Sequence, residues 1–227
     1  SDFADRGHAH IYQEGLRIPP VRLYRAGEMR KDVLDLILLN CQVPRERLSD
    51  LRAQMAANRV GVQRFQALCA KYGVGTVLAA GAALLDYAER KMRAGIAAIP
   101  DGAYSFEDVF ESLEVPTPLP LKVEITVRGD AMALHFDGPD QLRAGLNMTY
   151  TALLATAYYV VKSVVDPTIL PNAGLARPLT VTAREGSVLN CVHPAAVNGR
   201  VQTCQRVSDL ILGALARAVP ERVTACT

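Results

Sequence analysis

The chain has 227 residues, half of them hydrophobic, a composition that fits an ordinary soluble globular protein able to bury a substantial core. Lys and Arg number 25 against 23 Asp and Glu, with no long run of one sign, which argues against a nucleic-acid surface. Eight Tyr, five Phe and no Trp supply no stacking array for single strands either. Cys41, Cys69, Cys191, Cys204 and Cys226 are far apart and form no CxxC, so they read as reduced thiols rather than a zinc ribbon or redox pair. The start carries Asp2, Asp5 and Arg6, unlike a signal peptide. The apolar windows 74–85 and 152–165 are too short or too interrupted to span a bilayer. The expectation is a cytoplasmic protein with neither a nucleic-acid nor a membrane partner.

In chain order, the first distinctive stretch is Glu14-Gly15-Leu16-Arg17-Ile18-Pro19-Pro20. The two prolines fix φ and push Ile18 into an extended conformation, and Gly15 tolerates geometry that a Cβ forbids. This reads as a stiff strut presenting Glu14 and Arg17, either as walls of a site or as a surface ion pair. Residues 32–39 follow as a short buried helix ending at Asn40. A longer amphipathic helix runs from Pro44 to Tyr72, with Gly73 as terminator. Thr76 to Ala98 forms another helix, apolar at first and charged later, which suggests that it enters the core at its apolar end.

Pro100-Asp101-Gly102 is a turn signal, and residues 115–120 are proline-rich. Leu121 to Val127 alternates strictly and reads as a half-buried strand, with Ala131 to Phe136 as its hairpin partner. His135 on that partner is expected to be structural. Helices are expected over 147–165 and 205–218, with a strand over 179–183 between them. The fold class is therefore α+β: a helical N-terminal half, residues 1–114, and a mixed hairpin and helix half, residues 115–227, with the boundary in the proline-rich stretch 115–120.

The chemistry visible in the residues is sparse. No P-loop, GxGxxG or GxSxG occurs. His8 and His10, near Asp2 and Asp5, point to one side of an extended segment and are the metal candidates. The polar stretch Asn190 to Gln205 precedes a helix. Thr203, Gln205 and Arg206 there would hold a carboxylate or phosphate, or Thr203 would simply cap the helix. Cys204 has no His near it in sequence to make it a nucleophile.

A resemblance goes further. Ile11-Tyr12-Gln13-Glu14-Gly15-Leu16-Arg17-Ile18-Pro19-Pro20-Val21 resembles the signature of the hydantoinase B family, which includes the C-terminal half of 5-oxoprolinase and a large subunit of acetone and acetophenone carboxylases. Further similar motifs follow in the same order: Asp50-Leu51-x-x-Gln54; Asp86-x-x-Glu89 with Arg93; Ile99-Pro100-Asp101-Gly102-x-Tyr104; Phe136-Asp137-Gly138; Asp166-Pro167; Pro171-Asn172-Ala173-Gly174; Arg177-Pro178; Gly186-Ser187-x-Leu189-Asn190; Pro194-Ala195-Ala196-Val197; and Thr203-x-Gln205-Arg206-x-x-Asp209. Ser49, Cys41-Gln42 and His8-Ala9-His10 depart from the family pattern.

The resemblance implies a component of an ATP-dependent system that hydrolyses cyclic amides such as hydantoins or 5-oxoproline. A hydantoinase A-type partner would use ATP to activate the substrate carbonyl, in a hetero-oligomer. A divalent metal (Mg, Mn or Zn) would be bound largely outside this chain, which would be an internal part of a longer protein. Glu14 and Arg17 become the catalytic candidates, for proton transfer and anion binding, and Asn172, Gln205 and Arg206 the substrate-binding ones. The alternatives are a carboxylase component acting on a ketone and a fragment that only scaffolds.

Overall fold

A computed structural model describes residues 7–113 and 115–223. The fold is α+β, and its internal contacts divide it into two compact units, Leu16–Ala82 and Ser1–Gly15 with Ala83–Thr227.

The unit Leu16–Ala82 is mainly helical. It opens with a two-stranded ribbon, β1 (Tyr24–Arg25) and β2 (Glu28–Met29), that the sequence pattern did not suggest. Strands of two residues have no room for alternation; the signal lies instead in the turn, where Ala26 (φ 50°) and Gly27 (φ 86°) are both left-handed, as a tight hairpin requires. Helix α1 (Lys31–Leu39) follows, its first turn marked by the Arg30 guanidinium forked onto Asp32 at 3.0 and 2.5 Å. Only Leu34 of α1 is buried, and Leu39 is 87% exposed, so the expected buried helix lies largely at the surface. Helix α2 (Pro44–Tyr72) has the expected bounds, with Pro44 in the first turn and Gly73 (φ 82°) ending it, yet none of its residues is buried.

Helix α3 (Val74–Ile96) corrects the sequence reading. Its apolar first half is exposed, whereas Ala88, Met92 and Ile96, four residues apart in the charged second half, are buried. The reason is that the charges find partners: Lys91 pairs with Asp166 at 2.7 Å, Arg93 with Asp130 at 3.1 Å, and Asp86 and Glu89 with Arg177 at 2.8 Å each. The charges form the rim, and the apolar residues between them turn inward.

The second unit is built on a four-stranded sheet in the order β3 (Gly102–Phe110), β4 (Leu119–Arg128), β5 (Ala131–Asp137) and β6 (Leu179–Ala183). The first two pairings are antiparallel and β5–β6 is parallel. Strict alternation makes β4 and β5 legible, and the hairpin turns at Gly129 (φ 58°), whose amide donates to Asp101 at 2.8 Å. Strand β3 was not expected, because Asp108 interrupts the apolar set Tyr104, Phe106 and Phe110 on its inner face. The proline-rich stretch 115–120 runs from the β3–β4 connection into the start of β4.

Helices α4 (Tyr150–Val165) and α5 (Arg200–Leu215) cover one face of this sheet, over Val123, Ile125, Val127, Leu134 and Phe136, all 1% exposed or less. Gly213 lets α5 lie directly on the Phe106 ring, since a Cβ there would come within 2.7 Å of ring atoms. Helix α4 starts three residues later than expected, capped by the Thr149 hydroxyl, which accepts from Ala152 N–H. Helix α5 starts five residues earlier than expected. Thr203 is consequently not its cap: it lies inside the helix, fully buried, and its hydroxyl donates to Leu146 O at 2.5 Å. The opposite face of the sheet is open and polar, carrying Glu107, Lys122, Glu124, His135, Asp137 and Thr182. His135 Nδ1 lies 2.9 Å from Thr182 Oγ1, a cross-strand contact that gives it the structural part expected.

Asp166 ends α4, and its carboxylate is held down to about 2 by Lys91, with Thr168 adding to the effect. A depressed carboxylate stabilises the fold above its unfolded pKa and loses that contribution as pH falls toward 2. Asp166→Asn should therefore cost about 1 kcal/mol at neutral pH, the scale of a partly exposed pair, and the deficit should shrink below pH 4. Urea titrations at pH 7 and pH 3 measure both.

Candidate functional site

The N-terminal segment makes a single 3-10 turn, Ile11–Gln13, held by Gln13 Oε1, which accepts from Ala9 N–H at 2.8 Å. From that turn the segment is stitched to residues almost two hundred positions away. Ile11 N–H donates to Pro194 O at 2.8 Å. The Val197 and Asn198 amides both donate to Glu14 Oε1, at 2.6 and 2.5 Å. Tyr12 packs edge-on to His193, with ring centres 5.5 Å apart, and His10 packs against Tyr12 at 5.9 Å. The structure thus joins two stretches that the sequence singled out separately, the Glu14 segment and the polar run from Asn190.

The loop that receives Glu14 is fixed from behind. Cys191 N–H donates to Met148 O, Gly199 N–H donates to Gly145 O, and the His193–Pro194 bond is cis. Asn147, fully buried, donates through Nδ2 to Ala196 O, Leu142 O and Ala144 O, each at 2.9 Å, and accepts from Leu142 N–H at 2.7 Å. Helix α5 begins immediately after this loop. The Glu14 carboxylate therefore lies against the amides that lead into a helix N-terminus, where negative charge is favoured.

This arrangement gathers a carboxylate in a fixed position, a phenol and an exposed imidazole, groups suited to orienting water and moving protons. Cys191 is not suited to nucleophilic attack: burial, with the nearby Glu14 charge adding, pushes its thiol upward. Tyr12, His193 and Asn147 were not singled out from sequence. Tyr12 lay inside a motif read for its charged residues, and a lone His before a Pro carries no spacing signal.

The other candidates lie elsewhere. Arg17 is exposed and belongs to the helical unit. Asn172 caps a 3-10 turn, accepting from Gly174 N–H at 2.9 Å and donating to Leu84 O at 3.3 Å. Gln205 is exposed on α5, and Arg206 pairs with Asp108 at 3.3 Å and Asp209 at 3.5 Å. Asn172 thus lies on a different element from Gln205 and Arg206, which share α5.

Arg177, Asp86, Glu89 and Arg93 form one network, in which Arg177 and then Arg93 hold the Glu89 carboxyl below its usual range. These motif residues latch the second half of α3 to the sheet unit. Among the described residues no three His, Cys, Asp or Glu side chains gather to hold a metal ion. His10 Nδ1 is buried and makes no hydrogen bond among those residues, and Asp2 and Asp5 lie outside them. The donors described, His8 and His10 included, do not by themselves fit a divalent metal.

A mixed sheet backed by two helices, with a carboxylate-anchored loop ahead of the last one, defines an α+β domain without a nucleotide-binding motif in its sequence. The chain belongs to the hydantoinase B/oxoprolinase family, whose model matches residues 4–227. It is 34% identical to the beta chain of the caprolactamase of Pseudomonas jessenii over 218 residues, 95% of this chain and 38% of that protein. It is 32% identical to a protein named as the B component of a D-/L-hydantoinase of Pseudomonas sp. strain NS671, over 94% of this chain and 38% of that one. The chain thus spans 38% of the length of these relatives. The crystal structure of the ATP-dependent caprolactamase superposes with a TM-score of 0.88 at 31% identity, covering 98% of this chain and 39% of that one. Nucleotide-free acetone carboxylase gives 0.87 at 15% identity, covering 96% and 31%, a likeness of fold. Among the described residues no single helix is long and apolar enough to cross a membrane.

Proposed function

We propose that the chain is part of the B-type component of a cytoplasmic, ATP-dependent cyclic-amide hydrolase acting on a hydantoin, a lactam or 5-oxoproline. It works in a hetero-oligomer with an A-type partner that uses the ATP. Family membership across residues 4–227, together with relatives named as hydantoinase and caprolactamase components, supports the reaction class. The observation that carries the site is the Glu14 carboxylate fixed on the Val197 and Asn198 amides.

In this reading the partner transfers the γ-phosphoryl group of ATP to the amide oxygen. Water then attacks the activated carbon and the C–N bond opens to leave an acyl phosphate, which a second water hydrolyses, so that the products are the ring-opened amino acid (N-carbamoyl amino acid from a hydantoin), ADP and phosphate. Glu14 orients the attacking water or takes its proton, and Arg17 binds a carboxylate or phosphate of the substrate. Asn172, Gln205 and Arg206 are assigned supporting contacts to the ring. Any metal is held mainly by residues beyond those described here.

The test separates anchoring from chemistry. Glu14→Gln keeps an oxygen for the two amides, whereas Glu14→Ala removes the acceptor and should cost about 2 kcal/mol, the scale of hydrogen bonds to a charged group. In the assembled enzyme, Glu14→Gln should melt near wild type yet lose at least about a hundredfold in substrate-dependent ATP turnover, within the range of a lost acid–base group. Full turnover by Glu14→Gln would make Glu14 an anchor only. Absence of turnover by the wild-type complex on a panel of hydantoins, lactams and 5-oxoproline would overturn the substrate class.

A further inference from the structure

Between positions 17 and 31, Arg17, Arg22, Arg25, Arg30 and Lys31 stand against a single acid, Glu28. The fold draws three of these bases together. The ribbon β1–β2 pairs Tyr24 with Met29 and Arg25 with Glu28, and the Arg30 amide continues it by donating to Leu23 O at 2.8 Å. In that register Arg25 and Arg30 fall on one face of the ribbon, diagonally across its strands. Arg22 lies just ahead of β1. The result is a pocket of about 290 Å³ lined by Arg22, Arg25 and Arg30 together with Val21 and Val33. It lies wholly within the unit Leu16–Ala82.

Three guanidiniums around one hollow repel each other, and the protein offsets them only in part. Asp32 accepts from Arg30 Nε and Nη2, which leaves Nη1 without a partner among the described residues. Arg22 and Arg25 make neither an ion pair nor a side-chain hydrogen bond among those residues, and Glu28, although opposite Arg25 in register, forms no bridge to it. Arg30 holds the N-cap position of α1 and Val33 lies in its first turn, so the helix dipole adds positive potential here. A carboxylate is saturated by one guanidinium fork. A phosphate offers tetrahedral oxygens to several forks at once and carries nearly two charges at neutral pH. Val21, 49% exposed, and Val33 add an apolar wall that an inorganic ion would leave unused. The volume is at the small end for ligand pockets and favours a compact molecule.

We infer that this pocket binds a small phosphate monoester, its phosphoryl group held by Arg22, Arg25 and the remaining Nη1 of Arg30, its carbon skeleton against Val21 and Val33. The site goes beyond the proposed reaction and uses none of the residues assigned to it. Its test therefore needs neither a cyclic amide nor the A-type partner.

Isothermal titration calorimetry of the whole chain with glycerol 3-phosphate should show saturable binding that weakens as salt rises. Arg22→Gln/Arg25→Gln should weaken it at least about tenfold, the scale of lost hydrogen bonds to a charged group. Arg22→Lys/Arg25→Lys keeps the charge without the forks and should weaken it about threefold or more. Both arginines are exposed, so these variants should keep the wild-type melting curve. Arg59→Gln/Arg64→Gln on α2 removes the same charge outside the pocket and should leave affinity within about twofold. Inorganic phosphate should bind more weakly than glycerol 3-phosphate, and succinate more weakly still. Absence of glycerol 3-phosphate binding overturns the inference. So does undiminished binding by the lysine variant, or equal weakening by the α2 variant, since either would leave only a general attraction for anions. Tighter binding of succinate would overturn the phosphate assignment, and tighter binding of inorganic phosphate the monoester.

Discussion

Asn147→Ala should cost at least about 3 kcal/mol, because one side chain serves three carbonyls and one amide in the interior, and each orphaned buried group costs about 1–3 kcal/mol. The loss would reach the candidate site as well. Asn147 is the support behind Ala196, and Ala196 directly precedes the amides that hold Glu14. Asn147→Asp should be no milder despite its identical shape, since it surrenders both N–H donors and brings a charge into a fully buried position. Urea unfolding gives the cost of both variants. The proton resonances of the Val197 and Asn198 amides should move even where the fold survives.

Gly174→Ala should be the second severe substitution. A Cβ at residue 174 would stand 1.9 Å from Leu85 O and 2.7 Å from its carbonyl carbon, both backbone atoms of α3 that have no rotamer to escape through. Relief requires α3 to move off the loop, which breaks the Asn172–Leu84 hydrogen bond and strains the Arg177 bridges to Asp86 and Glu89. Overpacking of a fixed contact costs about 1–3 kcal/mol, and this one is at or above the top of that range. Gly61→Ala provides the contrast. That glycine lies within α2 with nothing within 4 Å of the added methyl, so the change should stabilise the helix by about 1 kcal/mol. Thermal melts of the two variants should therefore shift in opposite directions.

These residues show which parts of the molecule the sequence disclosed. Local rules found α2 to the residue, because Pro44 and Gly73 mark its ends chemically, and they found β4 and β5 because alternation is a property of one strand alone. They failed where a neighbour decides the outcome. Strand β3 hides behind Asp108, an inward residue made acceptable by Arg206 on a helix about a hundred positions away. The direction in which α3 buries itself depends on Arg177, Asp166 and Asp130, none of which its own periodicity can reveal. The site divides in the same way. Glu14 was legible from a rigid, acid-bearing motif, whereas its receptor is two backbone amides that have no sequence identity of their own. Asn172 and Arg206, proposed as ligand contacts by residue type, also hold the chain to itself, which their sequence positions do not reveal.

The bond from Val197 to Glu14 closes a loop of 183 residues. Closing so long a loop is entropically unfavourable until the intervening sheet and helices have formed, and contacts of this separation slow folding. During synthesis the ribosome must deliver nearly two hundred further residues before the Glu14 carboxylate has anything to receive it. The turn Ile11–Gln13 therefore waits undocked while the sheet assembles, and its seating reports that the receiving loop and the start of α5 are in place. In a growing polypeptide, protease access near residues 8–14 would therefore persist until Val197, Asn198 and the start of α5 have emerged and folded.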